Sequence, residues 1–155
     1  GELNRMEERP FRVRLAGRGS LREELEKMAV DEGMADRITF LGRISRERMQ
    51  EEMQRANCFV LPTRYEAFGA VLIEAMATGL PVIATRSGGP DYIVNEKNGI
   101  LIDPEDSEQL AGSMHRMMEQ YERFDPVGIR SDTMERFGER KVMERFNQLF
   151  GLILE

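Results

Sequence analysis

The stretch Pro62-Thr63-Arg64-Tyr65-Glu66-Ala67-Phe68-Gly69-Ala70-Val71-Leu72-Ile73-Glu74-Ala75-Met76-Ala77-Thr78-Gly79-Leu80-Pro81-Val82 decides the fold. The apolar run at 58–61 stops at Pro62. A helix over 70–78 begins after Gly69 and is ended by Gly79, and a second apolar run occupies 81–84. Strand, helix and strand in immediate succession make a βαβ unit, whose two strands run parallel. The helix start presents free backbone N–H groups and the positive end of the helix dipole. Gly69 has no side chain to obstruct an approaching anion, so this turn suits a phosphate or diphosphate.

Two carboxylates flank that turn. Between residues 70 and 77 only Glu74 is polar, and a helix apolar all round is buried on most sides. A carboxylate there must be paired, hydrogen-bonded or turned toward ligand hydroxyls, unless it reaches solvent from the short helix. Glu66 precedes the helix, on the loop at the carboxyl edge of the sheet. It can accept hydrogen bonds from sugar hydroxyls or stabilise positive charge at an anomeric carbon. The competing reading is an exposed loop residue that offsets Arg64.

Outward from this unit the pattern repeats. Alternating or continuous apolar runs predict strands at 11–16, 38–41, 58–61, 81–84 and 99–102. Ser20 with Glu23 forms a capping-box pattern for a helix to 31, and Ser45 caps a helix to 55. A short helix follows Gly88-Gly89-Pro90, an amphipathic helix covers 107–121, 125–130 is a loop or turn, and one last helix covers 132–153. Residues 1–9 are polar and read as the tail of a helix. Five strands alternating with helices give an α/β fold, a Rossmann-like doubly wound parallel sheet with helices on both faces. Ligands of such sheets bind at the carboxyl ends of the strands, which directs attention to the loops at 17–20, 42–45, 62–69 and 85–90.

Composition removes several function classes. With 41% hydrophobic and 32% charged residues the chain is a soluble globular domain rather than a disordered one. No apolar run approaches a membrane span, and the opening residues lack the apolar stretch of a secretory leader. The net charge of −6 disfavours nucleic-acid binding. The single cysteine, Cys58, lies in the run Cys58-Phe59-Val60-Leu61 and reads as a buried inert thiol. A cytoplasmic location is expected. One histidine, His115, is expected on a helix surface, and no group of acids, His and Cys has ligand spacing, so no metal or cofactor is expected.

The stretch E-A-F-G-A-V-L-I-E-A-M-A-T-G-L-P-V-I-A, with Glu66 and Glu74 separated by seven residues, closely resembles the E-x7-E signature of glycosyltransferase family 4 and its GT-B relatives. The match continues through Ser87-Gly88-Gly89-Pro90 and Asn98-Gly99-Ile100-Leu101-Ile102-Asp103-Pro104. Upstream, Leu15-Ala16-Gly17-Arg18-Gly19 and Ile38-Thr39-Phe40-Leu41-Gly42-Arg43-Ile44 stand where that family has its G-x-G and F-L-G segments. All five segments occur in the family's order over residues 11–150. The resemblance implies the C-terminal, donor-binding half of a GT-B fold, with sheet and site loops at 11–104 and C-terminal helices at 105–155.

By resemblance, Glu66 is the catalytic residue beside the donor hexose, and Glu74 binds the ribose hydroxyls. The backbone of Phe68, Gly69, Ala70 and Val71 holds the diphosphate. Arg43 and Ile44 lie against the base, Gly17 and Gly19 line the same cleft, and Gly88 and Gly89 shape the loop after the fourth strand. The implied activity is transfer of a hexose, with retention, from a nucleotide diphosphate sugar such as UDP- or GDP-hexose. Two positions depart from the pattern: Arg18 replaces an Asp between the glycines, and Tyr92 replaces an acid after Gly-Gly-Pro, one place beyond Asp91.

The family's C-terminal domain opens with a central strand and an Arg/Lys pair that this sequence does not show, and its N-terminal acceptor domain is not seen either. The sheet is therefore expected to have a gap between the strands at 11–16 and 58–61, and the chain is expected to be inactive without the acceptor domain. That domain would also bring any association with the inner face of a membrane. An exposed sheet edge or the last helix, with Met134, Phe137, Val142, Phe146, Leu149, Phe150 and Ile153 on one stripe, is the expected route to self-association, core packing being the default for the stripe. The alternative to a transferase is a non-catalytic nucleotide- or sugar-binding or interaction module derived from the same fold.

Overall fold

The computed structural model describes residues 11–153; the expected helical tail at 1–9 and the side chain of Ile153 lie outside the described residues. The chain divides into two compact units, Gly1–Glu52 and Met53–Glu155.

In the first unit β1 (Val13–Ala16) and β2 (Ile38–Gly42) pair in parallel around α1 (Arg22–Asp31), and α2 (Arg46–Arg55) begins at its end. The register, Val13 opposite Ile38, slips by one residue between Leu15 and Ala16. Ser20 does not cap α1. The helix starts at Arg22 behind Leu21, which makes no side-chain cap bond, so the serine stands too early to reach the first free N–H groups. Ser45 does act as a cap, its Oγ accepting the Arg48 N–H at 3.2 Å. Strand and helix are tied by Arg14, whose Nε and Nη2 both donate to the Glu52 carboxylate, the second at 2.7 Å. Arg48 approaches the same carboxylate at 2.7 Å. The hydrogen bonds and charge of Arg14, with Arg48 beside it, hold Glu52 below the usual carboxylate range although partial burial opposes them.

In the second unit β3 (Phe59–Leu61), β4 (Val82–Thr85) and β5 (Gly99–Ile102) form a parallel sheet in that order. Between them lie α3 (Ala70–Ala77) and α4 (Pro90–Ile93); α5 (Ser107–Glu119), a 3-10 turn (Tyr121–Arg123), α6 (Pro126–Phe137) and α7 (Glu139–Ile153) follow. All four residues of β4 are buried, as a central strand covered on both faces requires. Ile83 and Ile102 pack against Met117 of α5, with Val60, Ile100, Leu110, Met114 and Phe124 around them. Leu72, Ala75 and Met76 of α3 are fully buried, and α3 packs on β3, β4 and α6. Each large apolar side chain buried in this way contributes about 1.5–3 kcal/mol.

Within each sheet the strands are parallel, as expected, but the five strands lie in a two-stranded and a three-stranded sheet.

Two expectations for the C-terminal region are corrected. The segment 125–130 is not a loop, and the last helix is two helices. Asp125 caps α6, its Oδ1 accepting the Val127 N–H at 3.0 Å, and Pro126 fills the first helical position, where its missing N–H costs nothing. Gly138 leaves the helical region with ψ 152° and separates α6 from α7. Of the apolar stripe Phe137 is half-buried, while Met134, Phe146, Leu149 and Phe150 are each more than half exposed. Phe146 and Phe150 stack on each other with centroids 6.3 Å apart. No described helix is long and apolar enough to cross a membrane.

Candidate functional site

The residues singled out in the sequence fall into two groups, one in each unit. Gly17 and Gly19 follow β1, while Arg43 and Ile44 follow β2, so all four stand at carboxyl ends of parallel strands. Their loops are joined where the Gly17 N–H donates to the Gly42 carbonyl at 2.8 Å. Gly17, Arg18, Gly19 and Arg43 are exposed and Ile44 is half-buried.

The second group is built on the loop from β3 to α3 and the loop from β4 to α4. Glu66 is fixed to the second loop on both sides of its peptide: its N–H donates to the Ser87 carbonyl at 3.0 Å, and its carbonyl accepts the Gly89 N–H at 2.7 Å. A parallel bridge pairs Glu66 with Gly88. This approach requires glycine at 89, where a Cβ would stand 2.2 Å from the Phe68 carbonyl oxygen. Gly69 precedes α3 with φ +88°, a left-handed conformation that other residues rarely adopt, and is itself buried.

The Glu66 side chain is half-buried and turned onto the start of α3. Its Oε1 accepts the Gly69 N–H at 3.0 Å and the Phe68 N–H at 3.3 Å. The carboxylate therefore engages two of the amides expected to hold a diphosphate, those of Phe68 and Gly69. The alternative pairing with Arg64 is not formed, since Arg64 Nη2 reaches Glu105 Oε1 at 2.9 Å.

Glu74 lies on the exposed side of its short helix, one of the readings the sequence left open. It shares that side of α3 with exposed Ala70, while Leu72, Ala75 and Met76 take the buried side. A helix of eight residues can be apolar at every position but one and still keep one face open. Val71 is half-buried and Phe68 more than half exposed.

Beneath the two loops lies a group of hydroxyls with no role assigned from the sequence. Thr85, 2% exposed, donates from Oγ1 to the Thr63 carbonyl. The Ser87 Oγ stands 3.2 Å from Thr63 Oγ1 and 3.2 Å from Thr85 Oγ1, and donates to the Thr85 carbonyl at 3.3 Å. The available signal was a hydroxyl residue closing each apolar run, at Leu61-Pro62-Thr63 and Ala84-Thr85-Arg86-Ser87.

Asp91, adjacent to the position where the resemblance calls for an acid, is bonded within its own loop, its Oδ2 accepting the Gly88 N–H at 3.1 Å. Tyr92 is 85% exposed, and its carbonyl is held by Arg136 Nη2 at 2.7 Å. A cavity of about 830 Å³ lies beside β5, among Lys97, Leu101, Arg116 and Phe124; Asn98 to Leu101 of the last motif segment line it, but none of the expected donor-binding residues does. Among the described residues no three His, Cys, Asp or Glu side chains stand together as a metal site. His115 is half exposed beside Glu119, and burial pushes the Cys58 thiol up to about 12.

Comparison with known proteins gives one answer. The chain is 31% identical over 122 residues to the GDP-mannose-dependent alpha-(1-6)-phosphatidylinositol monomannoside mannosyltransferase of Mycobacterium tuberculosis, covering 74% of this chain and 32% of that protein. It is 26% identical over 144 residues to an uncharacterized glycosyltransferase of Methanocaldococcus jannaschii, covering 91% of this chain and 37% of that protein. Among solved structures it superposes on sucrose-phosphate synthase from Thermosynechococcus elongatus with a TM-score of 0.81 and 29% identity, covering 98% of this chain and 41% of that one. Anabaena HepE in complex with UDP shares the fold with a TM-score of 0.83 at 22% identity, covering 96% of this chain and 43% of that one. The chain thus spans well under half the length of these relatives, 37% and 32% of the two sequences just named. Residues 2–140 match the sequence profile of the glycosyl transferases group 1, and the chain belongs to that family.

Proposed function

We propose that this chain supplies the nucleotide-sugar-binding part of a retaining hexosyltransferase, with acceptor binding carried by sequence outside residues 1–155. The observation that carries the reading is the position of Glu66, half-buried at the carboxyl edge of the β3–β4 pair and clamped by Ser87 and Gly89 beside the free amides of α3. A UDP- or GDP-linked hexose sets its diphosphate on the N–H groups of Gly69, Ala70 and Val71, where the helix start stabilises the negative charge of the leaving group. The Glu66 carboxylate then leaves those amides and turns to the hexose. There it stabilises the positive charge that grows at the anomeric carbon as the bond to the diphosphate oxygen breaks, the acceptor oxygen bonds and the acceptor's proton passes to the departing diphosphate. Glu74, exposed one turn further along α3, takes the ribose hydroxyls.

The test is calorimetric titration of UDP, GDP and ADP, each with and without its hexose, into the chain and into Glu74→Ala. Saturable binding of one base, weakened about tenfold or more by the substitution as one good hydrogen-bond pair to a charged group would require, supports the assignment. Equal affinity in both proteins removes Glu74 from the site. Binding of none of these ligands overturns the donor-site reading and leaves a non-catalytic interaction module.

A further inference from the structure

We propose that Thr85, acting through Thr63 and Ser87, is a positioning residue for Glu66; the proposal rests on the donor-site reading above. The backbone ladder between β3 and β4 ends at Leu61 opposite Ala84. Beyond that pair, hydroxyls tie Thr63 to Thr85 and Ser87 before backbone bonds resume at Glu66.

One arrangement of protons satisfies the whole group. The Thr85 hydroxyl donates to the Thr63 carbonyl, the Thr63 hydroxyl to Ser87 Oγ at 3.2 Å, and the Ser87 hydroxyl to the Thr85 carbonyl at 3.3 Å. Each hydroxyl donates once, and the ring closes on itself. Thr85 and Ser87 are buried, so each bond exchanges little with water and an acceptor left without its donor is not rehydrated. The ring connects directly to the site: the Ser87 carbonyl accepts the Glu66 N–H at 3.0 Å, and the next two residues, Gly88 and Gly89, complete the clamp. Thr63 is three residues ahead of Glu66 on the other arm. The loop that carries Glu66 is thus referred to one hydroxyl ring at Thr63 and, through the Ser87 carbonyl, at Glu66 itself. Thr85, at the end of the fully buried strand β4, is its fixed point.

The role separates from plain packing because valine copies the shape of threonine without the hydroxyl, and serine keeps the hydroxyl without the methyl group. Nucleotide-sugar affinity is measured by calorimetry for the unchanged chain, Thr85→Val and Thr85→Ser, using the UDP- or GDP-hexose that the unchanged chain binds. Thermal unfolding is measured alongside. The expected result is a loss of about tenfold in Thr85→Val, the size of one buried hydrogen bond with its acceptor left unmet, and recovery to within about twofold in Thr85→Ser. Undiminished binding by Thr85→Val overturns the positioning role and leaves the donor site standing. Equal losses in both variants, in step with their melting temperatures, reduce Thr85 to a packing residue and overturn it as well. Failure of the unchanged chain to bind any nucleotide sugar overturns the donor-site reading itself, and the positioning role falls with it.

Discussion

Glu66 Oε1 lies 3.0 Å from the amide nitrogen of Gly69, so the carboxylate occupies an N–H that the proposed donor site assigns to the diphosphate. A diphosphate and this carboxylate, both negative, want the same N–H groups. Glu66→Ala is therefore expected to have opposite effects on two ligands. Affinity for the free nucleoside diphosphate stays level or rises, because a competing anion is gone, while affinity for the hexose-linked form falls. Urea unfolding should show a stability loss of about 0.5–1.5 kcal/mol from the lost hydrogen bond to the Gly69 amide. Parallel weakening of both ligands would mean that the carboxylate does not compete for the helix start.

Gly89 is the closest approach between the two site loops. An alanine Cβ there would stand 2.2 Å from the Phe68 carbonyl oxygen and 2.5 Å from Phe68 Cα, both backbone atoms that cannot rotate away. Gly89→Ala is expected to lower stability by about 1–3 kcal/mol as an overpacked site does. It should also abolish nucleotide-sugar binding even under conditions where the variant stays folded. Circular dichroism with urea, followed by calorimetry on the folded variant, separates the two effects.

The Glu52 carboxylate gives the first unit a pH dependence with a definite sign. Its folded pKa is lowered, chiefly by the hydrogen bonds from Arg14. The stabilisation is therefore complete above the unfolded pKa of about 4.3 and is lost as pH falls through the lower folded value. Glu52→Gln should flatten the acid limb of the stability profile and leave little slope near neutrality. A variant that keeps the original acid limb would place the titrating group elsewhere.

Cys58 is expected to be silent. Burial raises its thiol to about 12, so almost no thiolate exists at pH 8. An aromatic disulfide reagent should label the native chain far more slowly than the urea-unfolded chain, with one thiol released on unfolding. Rapid labelling of native protein would show that the β3 end of the sheet opens readily.

What the sequence determined by itself is everything carried by local pattern. Apolar runs bounded by Pro62, Gly79 and Gly99 gave the alternation of strands and helices, because strand and helix periodicity are properties of neighbouring residues. The spacing of Glu66 and Glu74, with Gly69 between them and Gly88-Gly89 further on, carried the family, and the parallel order of the strands put these loops at their carboxyl ends. Even the break in the last helix was written locally, in Asp125-Pro126 and Gly138, where the apolar stripe obscured it. Tertiary structure alone decided where the charged and hydroxyl groups point. It turned the Glu66 carboxylate onto the Gly69 amide, gave Arg64 to Glu105 and left Glu74 on the open face of α3. It also closed Thr63, Thr85 and Ser87 into one ring across 24 positions of sequence. The reason is physical: a polar side chain takes the best partner within reach, and reach is set by which loops the sheet brings side by side.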